Sequence, residues 1–228
     1  MPSPSPRSLP IPVSAFSPPP LRAPSMNGAL PPIVQEGNAA VRRRRICVLG
    51  SRQVGKSALV VQYVEHHFLS KYYPTIESTF HASLAHRSQP YTLEIVDTAG
   101  QDEYSVLASR YAIGVHGFVL VYSVASRPSF EMIRGLHDKI MQYYGVRGEV
   151  PCVIVGQKQD LVEKQLATRQ ITPQEGQALA KSIHAAWIET SASSNLNIDK
   201  VFDLLLEEVE RQYSPTPDRP QPGRCWIM

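Results

Sequence analysis

The sequence predicts an α/β fold, a doubly wound and mostly parallel sheet with helices on both faces, on three observations. Segments with a strand pattern alternate with segments of helical spacing from Arg44 to Val209. Two strand-like segments, "GFVLVYSV" (Gly117–Val124) and "VPCVIVG" (Val150–Gly156), are unbroken apolar runs, as strands covered on both faces must be. Prolines crowd the two ends. Of 20, only Pro74, Pro90, Pro128, Pro151 and Pro173 fall between Val41 and Tyr213, so one domain, residues 41–213, is expected between two tails.

Taken in order, residues 1–40 are rich in Pro and Ser and poor in aromatics, and a disordered extension is expected there. "RRICVLG" (Arg44–Gly50) is a short apolar strand ending in glycine. Leu59, Val60, Tyr63, Val64 and Phe68 then recur at helical spacing. "YYPTIESTF" (Tyr72–Phe80) reads as a polar loop, and "YTLEIVD" (Tyr91–Asp97) as an alternating strand that finishes on an acid. Ser129–Tyr144 reads as a helix. "TPQEGQALAKSI" (Thr172–Ile183) opens a second one, with Thr as N-cap, Pro in the first helical position and Glu175 in the third. Ile198, Val201, Phe202, Leu205, Leu206 and Val209 share one face of the last helix. Residues 214–228 form a polar tail.

Composition excludes several classes. The net charge of +3 is spread almost evenly over extension, domain and tail, so no nucleic-acid footprint exists and no nucleic-acid partner is expected. The run Arg42–Arg45 reads as a solvated strand edge at the domain boundary, in preference to a phosphate or membrane patch. Cys47, Cys152 and Cys225 make no even framework, and two of them lie inside apolar runs, which implies a reduced, intracellular protein. No apolar run is long enough to span a membrane, and no secretory signal is expected. The histidines, including the pair His66–His67, show no metal-ligand spacing.

"GSRQVGKS" (Gly50–Ser57) has glycines where a backbone must wrap an anion, a lysine, and a hydroxyl, between a strand and a helix. Amides from Gln53 through Val54, Gly55, Lys56, Ser57 and Ala58 are expected to face phosphate oxygens. Lys56 places a cation on the outer phosphates, and Ser57 is a Mg²⁺ ligand. Asp97, at the end of the next core strand, is expected to hold the metal through water, and Thr75 to add a second hydroxyl. Gly100 offers an amide to a γ-phosphate, and Gln101 an amide side chain to an attacking water. Lys56, Thr75 and Gln101 are the expected catalytic set.

Four elements, GSRQVGKS, PTIE, DTAGQDEYS and QKQD followed by "ETSAS", resemble in order and spacing the Ras superfamily of small GTPases, over about residues 43–212. Arg52 in the phosphate loop, "YPTIESTF", "DTAGQDEYS" and "LVYSVASRPSFE" (Leu120–Glu131) resemble its Rheb branch. The resemblance implies a P-loop NTPase fold with six strands, GTP and GDP as ligands with Mg²⁺, and a binary switch that GTP orders and hydrolysis releases. It implies a nucleotide contact by Tyr72, activation of the TOR kinase complex through Tyr72–Phe80, and inactivation by a tuberin-type GTPase-activating protein. Arg52, beside the γ-phosphate position, is expected to crowd Gln101 and slow hydrolysis. A nucleotide-bound interaction module with little turnover stays open beside the GTPase reading. A P-loop kinase or ATPase leaves Asp160, Thr75 and the tail without a role.

Asp160 stands where the family accepts hydrogen bonds from guanine N1 and N2, so guanine selection is expected. Lys158 lays its stem over the base, and Ser191, Ala192 and Ser193 complete the pocket, with the Ala192 amide at guanine O6. Gln157 and Ser193 depart from the family's Asn and Lys. Each is expected to cost about 1 kcal/mol of nucleotide binding and so speed release.

The chain ends "CWIM" (Cys225–Met228), a C-a-a-X box whose terminal Met favours farnesyl on Cys225. A prenyltransferase and a prenyl-binding chaperone follow as partners. With no polybasic run or second tail cysteine, reversible attachment to the cytoplasmic face of lysosome or vacuole, ER and Golgi is expected, with a cytosolic pool. The protein is expected to be a monomer.

Overall fold

Strand β1 (Arg42–Gly50) carries Ile46 and Val48 on one face and Cys47 and Leu49 on the other, all fully buried. Both faces of the sheet must therefore be covered. The computed structural model describes residues 40–68, 75–100, 114–144 and 150–213, all within one compact unit that starts at Ala39. The elements are β1, α1 (Lys56–Glu65), β2 (Glu77–His86), β3 (Gln89–Thr98), β4 (Gly117–Ser123), α2 (Arg127–Tyr144), β5 (Cys152–Gln157), α3 (Gln159–Glu163), α4 (Pro173–Ser182), β6 (Ala186–Glu189) and α5 (Ile198–Tyr213).

Six strands form one sheet in the order β2-β3-β1-β4-β5-β6, and only β2 runs antiparallel. Alternate residues of each central strand feed two cores. Val48, Val119, Val121, Val153 and Val155 pack with α1 and α5, where Tyr63 stacks on Phe202 at 3.8 Å between ring centroids. Leu49, Leu120, Tyr122 and Ile154 pack with Ile133, Leu136 and Ile140 of α2 and Ala180 of α4. The chain winds from β1 toward β3 on one side and from β4 outward on the other. The switch point, where ligands of doubly wound sheets bind, lies at the carboxyl end of β1.

Several expectations need correction. Tyr72–Phe80 is not wholly a loop, because Glu77–Phe80 begins β2, an edge strand whose outer face is exposed. β2 turns into β3 through Arg87 and Ser88, both left-handed (φ 49° and 64°), a hairpin conformation usually announced by Asn-Gly. Phe68 does not belong to the first helix. α1 stops at Glu65, His66 turns left-handed (φ 55°), and Phe68 lies exposed beyond it. The strand and helix expected from Arg44 and Ser129 begin earlier, at Arg42 and Arg127. The arginine run is not merely solvated, since Arg42 and Arg44 pair with Glu210 of α5. Among the described residues, no helix is long and apolar enough to cross a membrane.

Candidate nucleotide site

Four loops leave the carboxyl ends of the parallel strands β1, β3, β5 and β6 and meet at one end of the sheet. The first is Gly50–Gly55. Gln53 (φ 59°) and Gly55 (φ 106°) bend it in the left-handed region. Gly55 caps α1 with no side-chain hydrogen bond, which leaves the first-turn amides to a ligand. Val54 is buried and Ala58 packs against the core, so these two have only backbone to offer. Lys56 is 6% exposed, and its Nζ donates to the carbonyls of Gly50 (3.1 Å) and Ser51 (3.0 Å). Burial pushes its pKa down to about 8, with Asp97 opposing.

The second loop follows β3. Asp97 is 1% exposed, and its Oδ1 has no hydrogen bond among the described residues. Burial pushes its carboxyl up from the usual range, opposed by a hydrogen bond to Ser57 and by Lys56. The Ser57 hydroxyl lies 2.8 Å from that of Thr75. Neighbouring ligands of an octahedral Mg²⁺ at its usual 2.0–2.1 Å are about 2.9 Å apart. Two hydroxyls at that spacing, beside a buried carboxylate oxygen without a donor, fit this hard cation. Gly100 presses on the phosphate loop. A Cβ there would collide with Arg52 Cγ and lie 2.5 Å from Arg52 Cα.

The third and fourth loops interlock. Asp160, 9% exposed at the start of α3, accepts at Oδ1 from the Ser191 hydroxyl (2.7 Å). Ser191 also lies 3.2 Å from the exposed Ser193 hydroxyl and accepts from the Ser194 amide. Ala192 is buried. Lys158 is left-handed (φ 71°) and half-buried, and burial lowers its pKa while Asp160 opposes. Gln157 is 1% exposed. Its Oε1 accepts from the Thr190 hydroxyl at 2.5 Å, and its Cγ would lie 2.9 Å from a Cβ built on Gly55. The side chain is thus a strut between the phosphate loop and the loop after β6. Such packing does not favour the expectation that its extra methylene loosens the site.

The structure therefore brings together Gln53–Ala58, Thr75, Asp97, Gly100, Gln157, Lys158, Asp160 and Ser191–Ser193. Tyr72, Gln101 and Cys225 lie outside the described residues. Sequence reasoning passed over Thr190, whose hydroxyl holds Gln157. Its one signal was its place in "ETSAS".

A profile of the Ras family matches residues 45–211. GTP-binding protein rhb1 of Schizosaccharomyces pombe is 50% identical over 179 residues, 78% of this chain and 94% of the relative. Small monomeric GTPase RhbA of Aspergillus fumigatus is 48% identical over 191 residues, 83% of this chain and 99% of the relative. GTP-binding protein Rheb of Homo sapiens is 44% identical over 170 residues, 75% and 90% of the respective chains.

Proposed function

The chain belongs to the Ras family as a Rheb-like small GTPase, and from that premise we propose how its residues run the switch. As a member it binds guanine nucleotide and hydrolyses GTP in a signalling switch. The amides of Gln53 to Ala58 and the Lys56 ammonium hold the phosphates. Ser57 and Thr75 ligate Mg²⁺ directly and Asp97 does so through water. The bound ion supplies charge neutralisation on the outer phosphates. Gly100 donates its amide to the γ-phosphate, Gln101 orients the attacking water, and Tyr72 contacts the nucleotide. Asp160, steadied by Ser191, accepts from guanine N1 and N2, with the Lys158 stem, the Ala192 amide and Ser193 around the base.

The observation that carries this reading is the 2.8 Å approach of Thr75 to Ser57 beside an Asp97 oxygen that lacks a donor. It ties the segment before β2 to the phosphate loop through groups suited to one cation. Losing the γ-phosphate removes the reason for Thr75 to stay. The close approach of the Arg52 backbone and Cγ to Gly100 supports slow intrinsic turnover, since it couples the phosphate loop to the segment that leads into Gln101. It also favours, as a second reading, an interaction module that turns over little.

Signalling follows from the Rheb resemblance. When GTP-bound the chain activates the TOR kinase complex through 72–80, and a tuberin-type protein turns it off. Farnesylation of Cys225 by a prenyltransferase, with a prenyl-binding chaperone, gives a monomer shared between endomembranes and cytosol. The metal reading is tested by release of a fluorescent GDP and GTP analogue. Chelation of Mg²⁺ is expected to speed release at least about tenfold, as loss of a charge-assisted ligand should. Thr75→Ala is expected to weaken GTP more than GDP. Release that ignores chelation sinks the metal site, and equal losses for both nucleotides sink the role of Thr75.

A further inference from the structure

Strand alternation divides the run Arg42–Arg45 between two faces of the sheet. Arg42 and Arg44 point toward α5, where both pair with Glu210, Arg44 at 2.7 Å. Arg43 and Arg45 stand on the opposite face. There they line a groove of about 510 Å³ with His81, Thr92, Glu94 and His116, and Arg44, held by Glu210, reaches its edge. Register explains the assembly. Glu94 of β3 lies between His81 of β2 and Arg45 of β1, and Thr92 lies opposite Arg43 one row away. The groove sits near the start of β1, about 16–23 Å along the strand from the phosphate loop at Gly50. None of these residues belongs to the proposed nucleotide site.

The groove is rich in donors and short of acceptors. Glu94 is its one carboxylate and meets Arg45 at 3.2 Å. The Arg45 atom in that pair is Nε, which is buried and lies within ion-pair distance of Glu94 without the alignment of a hydrogen bond. Arg43 has no ion pair among the described residues, so one guanidinium exceeds the acid present. His116 Nδ1 accepts from the Arg45 amide at 3.0 Å, which puts the proton of the neutral ring on Nε2 as a further donor. The Thr92 hydroxyl adds another. Two planar guanidinium forks and a hydroxyl in a concave site match a tetrahedral oxyanion better than a flat carboxylate.

We propose that the groove formed by Arg43, Arg45, Thr92 and His116 binds a phosphate-monoester group, carried by a lipid headgroup or by a soluble phosphorylated molecule. The test uses the full, unprenylated chain loaded with GDP and Mg²⁺, so that the phosphate loop is filled. Inositol monophosphate is titrated while backbone amide resonances are followed. Saturable shifts confined to Arg43, Arg45, Thr92 and His116 are expected. Arg43→Ala should weaken them about tenfold or more, the loss of a charge-assisted bidentate contact. Arg42→Ala removes the same charge from the other face and should leave them unchanged. Sedimentation with phosphatidylcholine vesicles, with and without phosphatidylinositol phosphate, separates the sources. Capture only by the phosphorylated lipid assigns the headgroup, and titration by the soluble probe without capture assigns the soluble ligand. No saturable binding of either probe overturns the proposal. Equal weakening by Arg42→Ala and Arg43→Ala also overturns it, because diffuse charge then accounts for the effect.

Discussion

Gln157 touches both halves of the nucleotide site at once. Its amide oxygen takes the Thr190 hydroxyl, and its methylene chain lies against Gly55. Shortening it to Asn withdraws the methylene from Gly55 and lengthens the bond to Thr190. A deleted buried methylene typically costs about 0.5–1.5 kcal/mol. Gln157→Asn is therefore expected to release GDP about two- to tenfold faster, the reverse of the expectation from motif comparison alone. Stopped-flow release of a fluorescent GDP checks it, and slower release in the variant would show that Gln157 loosens the site. The phosphate loop and Asp160 were legible in the sequence because each motif is contiguous. The strut was not, since its partners Gly55 and Thr190 lie far from Gln157 along the chain and meet it only through packing.

Helix α4 shows what a local pattern can and cannot fix. Thr172 and Glu175 form the capping box that their spacing predicts, with the Glu175 amide donating to the Thr172 hydroxyl and the Thr172 amide to Glu175. The pairing of Glu175 with Arg127 of α2 was not predictable, because it depends on how two helices pack. Arg127 foremost, then Thr172, pull the Glu175 carboxyl down to about 2. A depressed folded pKa gives stability that is fully present above the unfolded value near 4.5 and is lost as pH falls toward 2. Glu175→Gln is thus expected to lower Tm at neutral pH, with the gap to wild type shrinking from about pH 4.5 downward. Parallel melting curves from pH 3 to 7 measure it; a gap that stays constant would remove the carboxylate from the account. Strands β2 and β6 escaped sequence reading for a similar reason. β2 is an edge with a polar outer face, and β6 has four residues, all half-buried.

At the scale of the molecule, the sheet order places β1 between β3 and β4, so the loops after β1 and β3 become neighbours. The doubly wound sheet was legible from alternating apolar segments, as was the position of a site at the carboxyl end of the strands, whereas the strand order was not. The proposed membrane attachment, by contrast, rests on the C-a-a-X box alone. Cys225→Ser is expected to move the chain from the membrane to the cytosolic fraction without changing GTP hydrolysis. Unchanged fractionation would place the anchor elsewhere. The central claim is that the converging loops make a guanine-specific, Mg²⁺-dependent GTPase. Single-turnover phosphate release from the GTP-loaded chain tests it most directly, with Gln101→Leu and ATP as comparisons. The account predicts slow, Mg²⁺-dependent release from GTP, slower still in Gln101→Leu, and none from ATP. Release from ATP at the same rate, or none from GTP, would contradict it.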